Sequence, residues 1–533
     1  MSVANGESAA ARAAWRPASN PWIIAVVVTS AAFMEVLDTT IVNVALPHIA
    51  GSLSAGADEA TWTLTSYLVA NGIVLPISGW LGSVLGRKRY FLICIGMFTV
   101  CSLLCGVATS LGQLIVFRVL QGFFGGGLQP NQQSIVLDTF EPSKRGKAFA
   151  ITAIATIVAP VLGPTLGGII TDNLSWRWIF LLNVPVGIMA FAAVMRFVED
   201  PPWAKAASRA GGLHVDYIGL GLIALGLGCL QLVLDRGEDD DWFSSPFIRT
   251  FAVMALLGLS GAVAWLLYTD KPIVNLRALA DRNFALGTLM IFLMAVLLYS
   301  TAVLIPQLAQ QQIGYTATLA GLLLSPGGLV VICLIPLVGR LMPKVQTRFL
   351  IAFGFASMGA AMLFAGTLTP QIDFTRLALL RASQMVGLAF LFVPISTIAY
   401  STLKPELNRD AASLYTMFRN IAGSVGISIA TALITERGQV HMAHLSSHLT
   451  VFDQPYNNTL ARTTTALGAQ GLAPLDAARR ASGFIYQTLV GQSALLGYID
   501  VFRLGAGICF LVVPLTFLFA ATKASGGPAA GGH

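Results

Sequence analysis

Hydropathy leaves this chain few architectures. Along its 533 residues there are about fourteen apolar runs of roughly 20 residues, each long enough to cross a hydrocarbon layer as a helix. They lie near 22–48, 61–82, 90–109, 111–138, 148–171, 177–197, 216–235, 248–268, 284–309, 318–339, 349–368, 376–400, 412–435 and 499–521. Within a bilayer each backbone polar group must be satisfied by the protein itself, and continuous runs of this length do so as helices. The expected class is an all-α polytopic membrane protein. Composition agrees: 11% of residues are charged, against about 25% in soluble domains.

The net charge of +7 gathers in alternate loops. Arg87-Lys88-Arg89, Lys144-Arg145-Gly146-Lys147 and the stretches 340–348 and 404–409 are basic, whereas one loop of the opposite set carries Glu238-Asp239-Asp240-Asp241. Basic loops mark the cytoplasmic face, so both termini are expected inside, as tails 1–21 and 522–533. The charge then reflects orientation, and no nucleic acid partner is expected. Cys94, Cys101, Cys105, Cys229, Cys333 and Cys509 all fall in apolar runs without a CxxC pair, which argues against a disulfide framework or a metal cluster.

The chain echoes itself. Arg118-Val119-Leu120-Gln121-Gly122 is matched by Arg381-Ala382-Ser383-Gln384 with Gly387 following, and Gly79 to Arg89-Tyr90-Phe91-Leu92 by Gly339 to Arg348-Phe349-Leu350. Two halves explain this: residues 22–198 as one six-helix bundle and 284–521 as another. The linker 199–283 adds two further membrane helices, and an outer-face loop at about 436–498 lies within the second half. Parallel repeats with a ligand site between them are a recurring transporter plan.

Intramembrane ionisable groups are costly and mark functional pathways. Glu35 and Asp38, at i and i+3, share a helix face. Burial disfavours the charged form of a carboxyl, and two neighbouring acids titrate as a unit. Asp38 is the first candidate for a proton carrier, with Glu35 beside it. Each proton moved through 100 mV supplies about 2.3 kcal/mol. Arg118 stays charged and needs a cavity or a partner such as Asp38. Each has a plainer reading: Asp38 and Arg118 as helix-to-helix links, Glu35 as a solvated position in a cavity mouth. Asn43, Gln121, Gln129, Asn131, Gln384 and Asn420 are cavity candidates because buried polar groups need partners. Arg381 and Arg419 suggest tolerance for anionic lipophilic substrates. Phe33, Trp62, Tyr67, Tyr299, Phe392, Tyr415 and Phe418 either line an aromatic cavity or simply pack. His441, His444 and His448 have helical spacing, which fits a polar helical extension of the run 412–435; no carboxylate or cysteine completes a metal site, and none is expected. Nucleotide-loop, HExxH and triad signatures are not found, so the chain does not read as an enzyme.

Several segments carry a family resemblance. The run Leu37-Asp38-Thr39-Thr40-Ile41-Val42-Asn43-Val44-Ala45-Leu46-Pro47 resembles the first helix of the 14-helix drug:proton antiporters of the major facilitator superfamily. Gly79 to Arg89 is similar to the superfamily's loop 2–3 motif, Arg118 to Gly122 to its fourth-helix motif, and Ala159 to Gly168 to its fifth-helix antiporter motif. Leu234 to Ser245 and Gly314 to Gly321 resemble EmrB-type proteins, the inner-membrane pumps of tripartite efflux systems. The resemblance implies a major facilitator fold with 14 membrane helices in total. It implies proton-coupled export of lipophilic drugs across the bacterial inner membrane, driven by the proton motive force with no cofactor. It also implies an EmrA-like periplasmic adaptor and an outer-membrane channel as partners. Pro160, Gly163, Pro164, Gly167 and Gly168 would form the antiporter motif, and Gly79, Gly86, Arg87 and Arg89 a cytoplasmic gate loop. One departure is Ser83, where the loop motif usually has Asp, so the gating ion pair built on that Asp is not expected. The alternative function is a dedicated proton-coupled exporter of one metabolite, of the siderophore or fatty acid type.

Overall fold

Helices fill almost every apolar run in the computed structural model, which describes residues 15, 17–201, 216–270, 272–369, 371–404, 407–450 and 452–520. The first half comprises α1 (Pro21–Ser52), α2 (Ala57–Leu85), α3 (Arg87–Gly106), α4 (Leu111–Gly125), α5 (Leu128–Thr139), α6 (Pro142–Asn173), α7 (Arg177–Leu181) and α8 (Asn183–Phe197). An inserted pair follows, α9 (Tyr217–Arg236) and α10 (Pro246–Tyr268). The second half comprises α11 (Arg282–Ile313), α12 (Ala317–Leu322), α13 (Ser325–Leu341), α14 (Thr347–Ala365), α15 (Phe374–Ala399), α16 (Asn408–Ser446), α17 (Gln454–Ala469) and α18 (Pro474–Leu515). Thirteen of these helices or joined pairs are long and apolar enough to cross a membrane, or fourteen if α6, bent by 42° between Pro160 and Leu162, counts as one span. Nearly all of the two tails lies outside the described residues.

Local chemistry sets the ends. Asn20 caps α1 by accepting from Trp22 N at 2.9 Å, and Asp281 caps α11 by accepting from Phe284 N at 2.9 Å. Gly314, at φ +78°, closes α11 in the left-handed region. Two boundaries differ from the hydropathy reading. The run at 90–109 is a helix from Arg87, because Asp200 receives the Lys88 backbone N–H at 2.8 Å and lets the basic residues enter the first turn. Much of the segment read as an outer loop, 436–498, is helical: α16 runs on to Ser446, the polar extension that the histidine spacing suggested, and α18 starts at Pro474. At 39 and 42 residues these helices are about 58 and 63 Å long, roughly twice a bilayer's hydrocarbon core. They project with α17 as a helical extension.

The halves are in direct contact at the end bearing the basic loops. There Ser78 Oγ lies 3.3 Å from Ser413 Oγ, Thr416 Oγ1 donates to Gln133 Oε1 at 3.2 Å, and Phe149 stacks on Tyr400 at 5.9 Å. Of the inserted pair, α9 packs on α2 and α10 on α9, and Gln231 Nε2 donates across to Ser424 Oγ of α16 at 2.7 Å.

Helix α6 touches both halves. On one side it packs along α1 and on the other against α12 and α13. A methyl on Gly163 would sit 2.1 Å from Thr40 Oγ1, and one on Gly167 2.9 Å from the Ile41 carbonyl oxygen. Gly168 faces Thr318, whose hydroxyl donates to Asp172 at 2.9 Å, and Gly321 abuts the backbone of Thr165. Gly163→Val is therefore expected to push α6 off α1 at a cost of about 1–3 kcal/mol. Gly112→Val, at a position with nothing within 4 Å, is expected to change stability far less. Thermal unfolding of both purified variants in detergent checks this; equal melting temperatures would contradict the close packing.

Candidate functional site: two buried acids and their donors

Glu35 and Asp38 occupy one turn of α1 yet enter two different pockets. Asp38 is fully buried. Its Oδ2 accepts from Arg118 Nη1 of α4 at 2.6 Å, and its Oδ1 from Gln121 Nε2 at 3.1 Å and Asn183 Nδ2 of α8 at 2.7 Å. Arg118, also fully buried, donates through Nε to the Thr63 carbonyl at 3.1 Å and through Nη1 to Gln121 Oε1 at 2.9 Å. Its guanidinium lies over the Tyr67 ring, 4.1 Å from the centroid. Ser102 Oγ, 3.0 Å away, holds Asn183 in place. A bare buried guanidinium or carboxylate would be prohibitive; the pair persists because each fills the other's hydrogen-bonding sites.

Glu35, 2% exposed, has a separate donor set. Its Oε1 accepts from Tyr67 Oη at 3.2 Å and Asn71 Nδ2 at 3.0 Å, and its Oε2 from Gln129 of α5. Gln129 in turn accepts from Arg419 of α16, so one amide joins an acid of the first half to a cation of the second. No hydrogen bond joins the two acids, and Tyr67 stands between them, its hydroxyl on Glu35 and its ring under Arg118.

The other sequence candidates scatter. Arg381 and Gln384 sit deep in the second half, where Arg381 donates to Thr301 Oγ1 at 2.8 Å. Tyr415 belongs to the aromatic cluster at the basic end: its hydroxyl is 3.0 Å from Ser396 Oγ and its ring 5.6 Å from that of Tyr400. Tyr299 packs against Gly423 of α16, and Asn420 is half-buried. Asn43 is exposed near the far end of α1. His441 turns to Asp500 Oδ2 at 2.8 Å, and His444 and His448 contact each other at 5.4 Å between centroids. Among the described residues no three His, Cys, Asp or Glu converge as a metal site.

The gate loop supplies its own solution to Ser83, whose hydroxyl only turns back to Trp80 O at 2.7 Å. Gly86 takes φ +85° between α2 and α3, half-buried Gly79 lies about two turns earlier, and Arg89 is exposed. Arg87 pairs with Asp138 at the end of α5 and donates to Ser134 O at 3.1 Å. Sequence reasoning missed Asp138, Asp200 and Asn183. Asn183 did carry a signal, as the lone amide in the run 177–197.

Comparison with known proteins gives the family. The Major Facilitator Superfamily profile matches residues 28–427. The multidrug export protein EmrB of Escherichia coli K12 is 37% identical over 512 residues, 96% of this chain and 98% of that one. The chain is an EmrB-type major facilitator. The fatty acid resistance protein FarB of Neisseria gonorrhoeae is 36% identical to this facilitator over 503 residues, 94% of this chain and 96% of its own. Its fold is shared with the human organic anion transporter MFSD10, at a TM-score of 0.57 and 14% identity, over 94% of this chain and 100% of that one. As a member of this transporter family it is a multi-pass membrane protein.

Removing one member of the Asp38–Arg118 pair leaves the other charged and stranded. Arg118→Ala is expected to destabilise the purified protein by about 3–5 kcal/mol, and adding Asp38→Asn to recover at least about 1 kcal/mol of that. A double-mutant cycle by denaturant unfolding reads the coupling; strictly additive losses would mean the pair is not energetically linked.

Proposed function

We propose that this protein exports lipophilic drugs across the bacterial inner membrane in exchange for protons, with Asp38 as the proton-carrying group and Glu35 and Arg118 tuning it. The observation that carries the reading is the donor-only surrounding of Asp38. Arg118, Gln121 and Asn183 all present N–H groups to it, which suits a carboxylate and gives an added proton no acceptor. Loading a proton thus requires these donors to withdraw, and helices α4 and α8 carry all three of them. Proton binding and helix movement become one event, as exchange demands. The cycle needs no cofactor, since the proton motive force does the work.

Closure of the halves at the basic end, together with exposed Asn43 and His48 at the far end of α1, supports a state open to the outside, with basic loops and both termini cytoplasmic. Tight packing of α6 on α1 and α12 supports a seam that blocks proton leak. Gln129, Arg419, Tyr299 and Asn420 would line the substrate path between the halves. The E. coli relative's name supports a broad drug range and, with the helical extension exposing Phe452, Leu475 and Phe484, an EmrA-like adaptor leading to an outer-membrane channel. A narrower reading, export of one lipophilic metabolite, is favoured by the gonococcal relative's name for fatty acid resistance.

Proteoliposomes with an imposed pH gradient test the proposal. Wild type is expected to move a fluorescent lipophilic dye, and Asp38→Asn to abolish gradient-driven movement. Equal transport by both would remove Asp38 as carrier and bring Glu35→Gln forward as the deciding variant. Competition by unrelated drugs separates the broad from the narrow substrate range.

A further inference from the structure

The two halves repeat one polar constellation with a single chemical change. In the first, Arg118 meets Asp38, 80 positions earlier, and Gln121, three later. In the second, Arg381 meets Thr301, again 80 positions earlier, and Gln384, three later. A hydroxyl therefore stands where the first half has a carboxylate. The consequence is visible in the hydrogen bonds. Arg381 Nη1 donates to Thr301 Oγ1 at 2.8 Å and to Gln384 Oε1 at 3.3 Å. Arg381 Nε, Arg381 Nη2 and Gln384 Nε2 are buried with no partner among the described residues. Their residues are 0% and 1% exposed. In the first half Gln121 Nε2 finds Asp38, and of Arg118 only Nη2 lacks a partner.

Three unpaired buried atoms of one kind define a ligand chemistry. All are N–H donors, one group carries a full positive charge, and Thr301, an uncharged hydroxyl that accepts from Arg381 and donates to the Leu297 carbonyl at 2.8 Å, does not neutralise it. An unpaired guanidinium in a membrane interior is costly, and a neutral water would leave that charge uncompensated. An anion would meet both the charge and the donors, as Asp38 does for Arg118. We propose that Arg381 and Gln384, closed off by Thr301, form a binding site for a singly charged anion: a halide, or the carboxylate or phenolate group of a transported molecule. The proposal rests on the transport reading above in one respect, that movement of the second half opens this buried site to a ligand.

The test uses the purified full chain in detergent, with thermal unfolding followed while sodium chloride or, separately, sodium salicylate is titrated at constant ionic strength. The quantity read is the difference between wild type and Thr301→Asp, so that general salt effects cancel. Thr301→Asp installs within the chain the carboxylate that the first half already has. Wild type is expected to show a saturable rise in Tm of about 2 °C or more, and Thr301→Asp to lose it. Gln384→Leu, which removes one donor and no charge, is expected to weaken the apparent affinity about tenfold and carries the test if Thr301→Asp does not fold. A rise with chloride alone identifies an inorganic anion; a rise with salicylate alone identifies an organic anionic group. No saturable rise in wild type with either salt, or an equal rise in Thr301→Asp, overturns the site. Retained binding without gradient-driven transport would sink the antiport reading and leave this site standing, and normal transport without anion binding would do the reverse.

Discussion

A carboxylate and a guanidinium, both without access to water, set the terms for the first half of this molecule. Neither is tolerable alone in a low-dielectric interior, so four helices are arranged to complete them: α1 brings Asp38, α4 brings Arg118 and Gln121, α8 brings Asn183, and α2 offers a backbone carbonyl and the Tyr67 ring. These are contacts of fixed length and direction. A bundle held this way has few ways to rearrange by small amounts, and a change in the charge of Asp38 would be felt by every helix in the set.

Glu35 extends that constraint across the molecule. Through Gln129 it is tied to Arg419, and so to the second half. The two acids thus differ in what they report on: Asp38 on the packing within one half, Glu35 on the distance between the halves. Helix α6 adds a steric counterpart, with glycines meeting α1 on one side and α12 on the other. Ionisation and packing act on the same interface, which is the arrangement expected of a machine that alternates between two rigid assemblies.

The sequence was informative where physics leaves one solution. Twenty apolar residues have to be a span, and an arginine in a span has to find an acceptor, so the helices, the duplication and the prominence of Asp38 and Arg118 could be read directly. Reading failed where the answer depends on which helices become neighbours. That Asn183 completes Asp38, that Asp138 pairs with Arg87, and that Tyr67 separates the acids all follow from packing between distant segments. Tyr415 looked the same in sequence as any cavity aromatic and instead sits in the cluster with Tyr400. Helix length was misjudged for a different reason: hydropathy marks where a helix enters lipid, whereas α18 is held together by the same backbone bonds for many residues beyond it.

That continuity gives the molecule a lever. The outer part of α18 and its span are one uninterrupted rod from Pro474 to Leu515, side by side with α16. A tilt of about 10° at the membrane would swing a tip some 30 Å away by roughly 5 Å. Any body resting on that tip would be pushed once per turnover, so the working stroke of the bilayer-embedded half is broadcast outward as displacement, with no separate signalling element required.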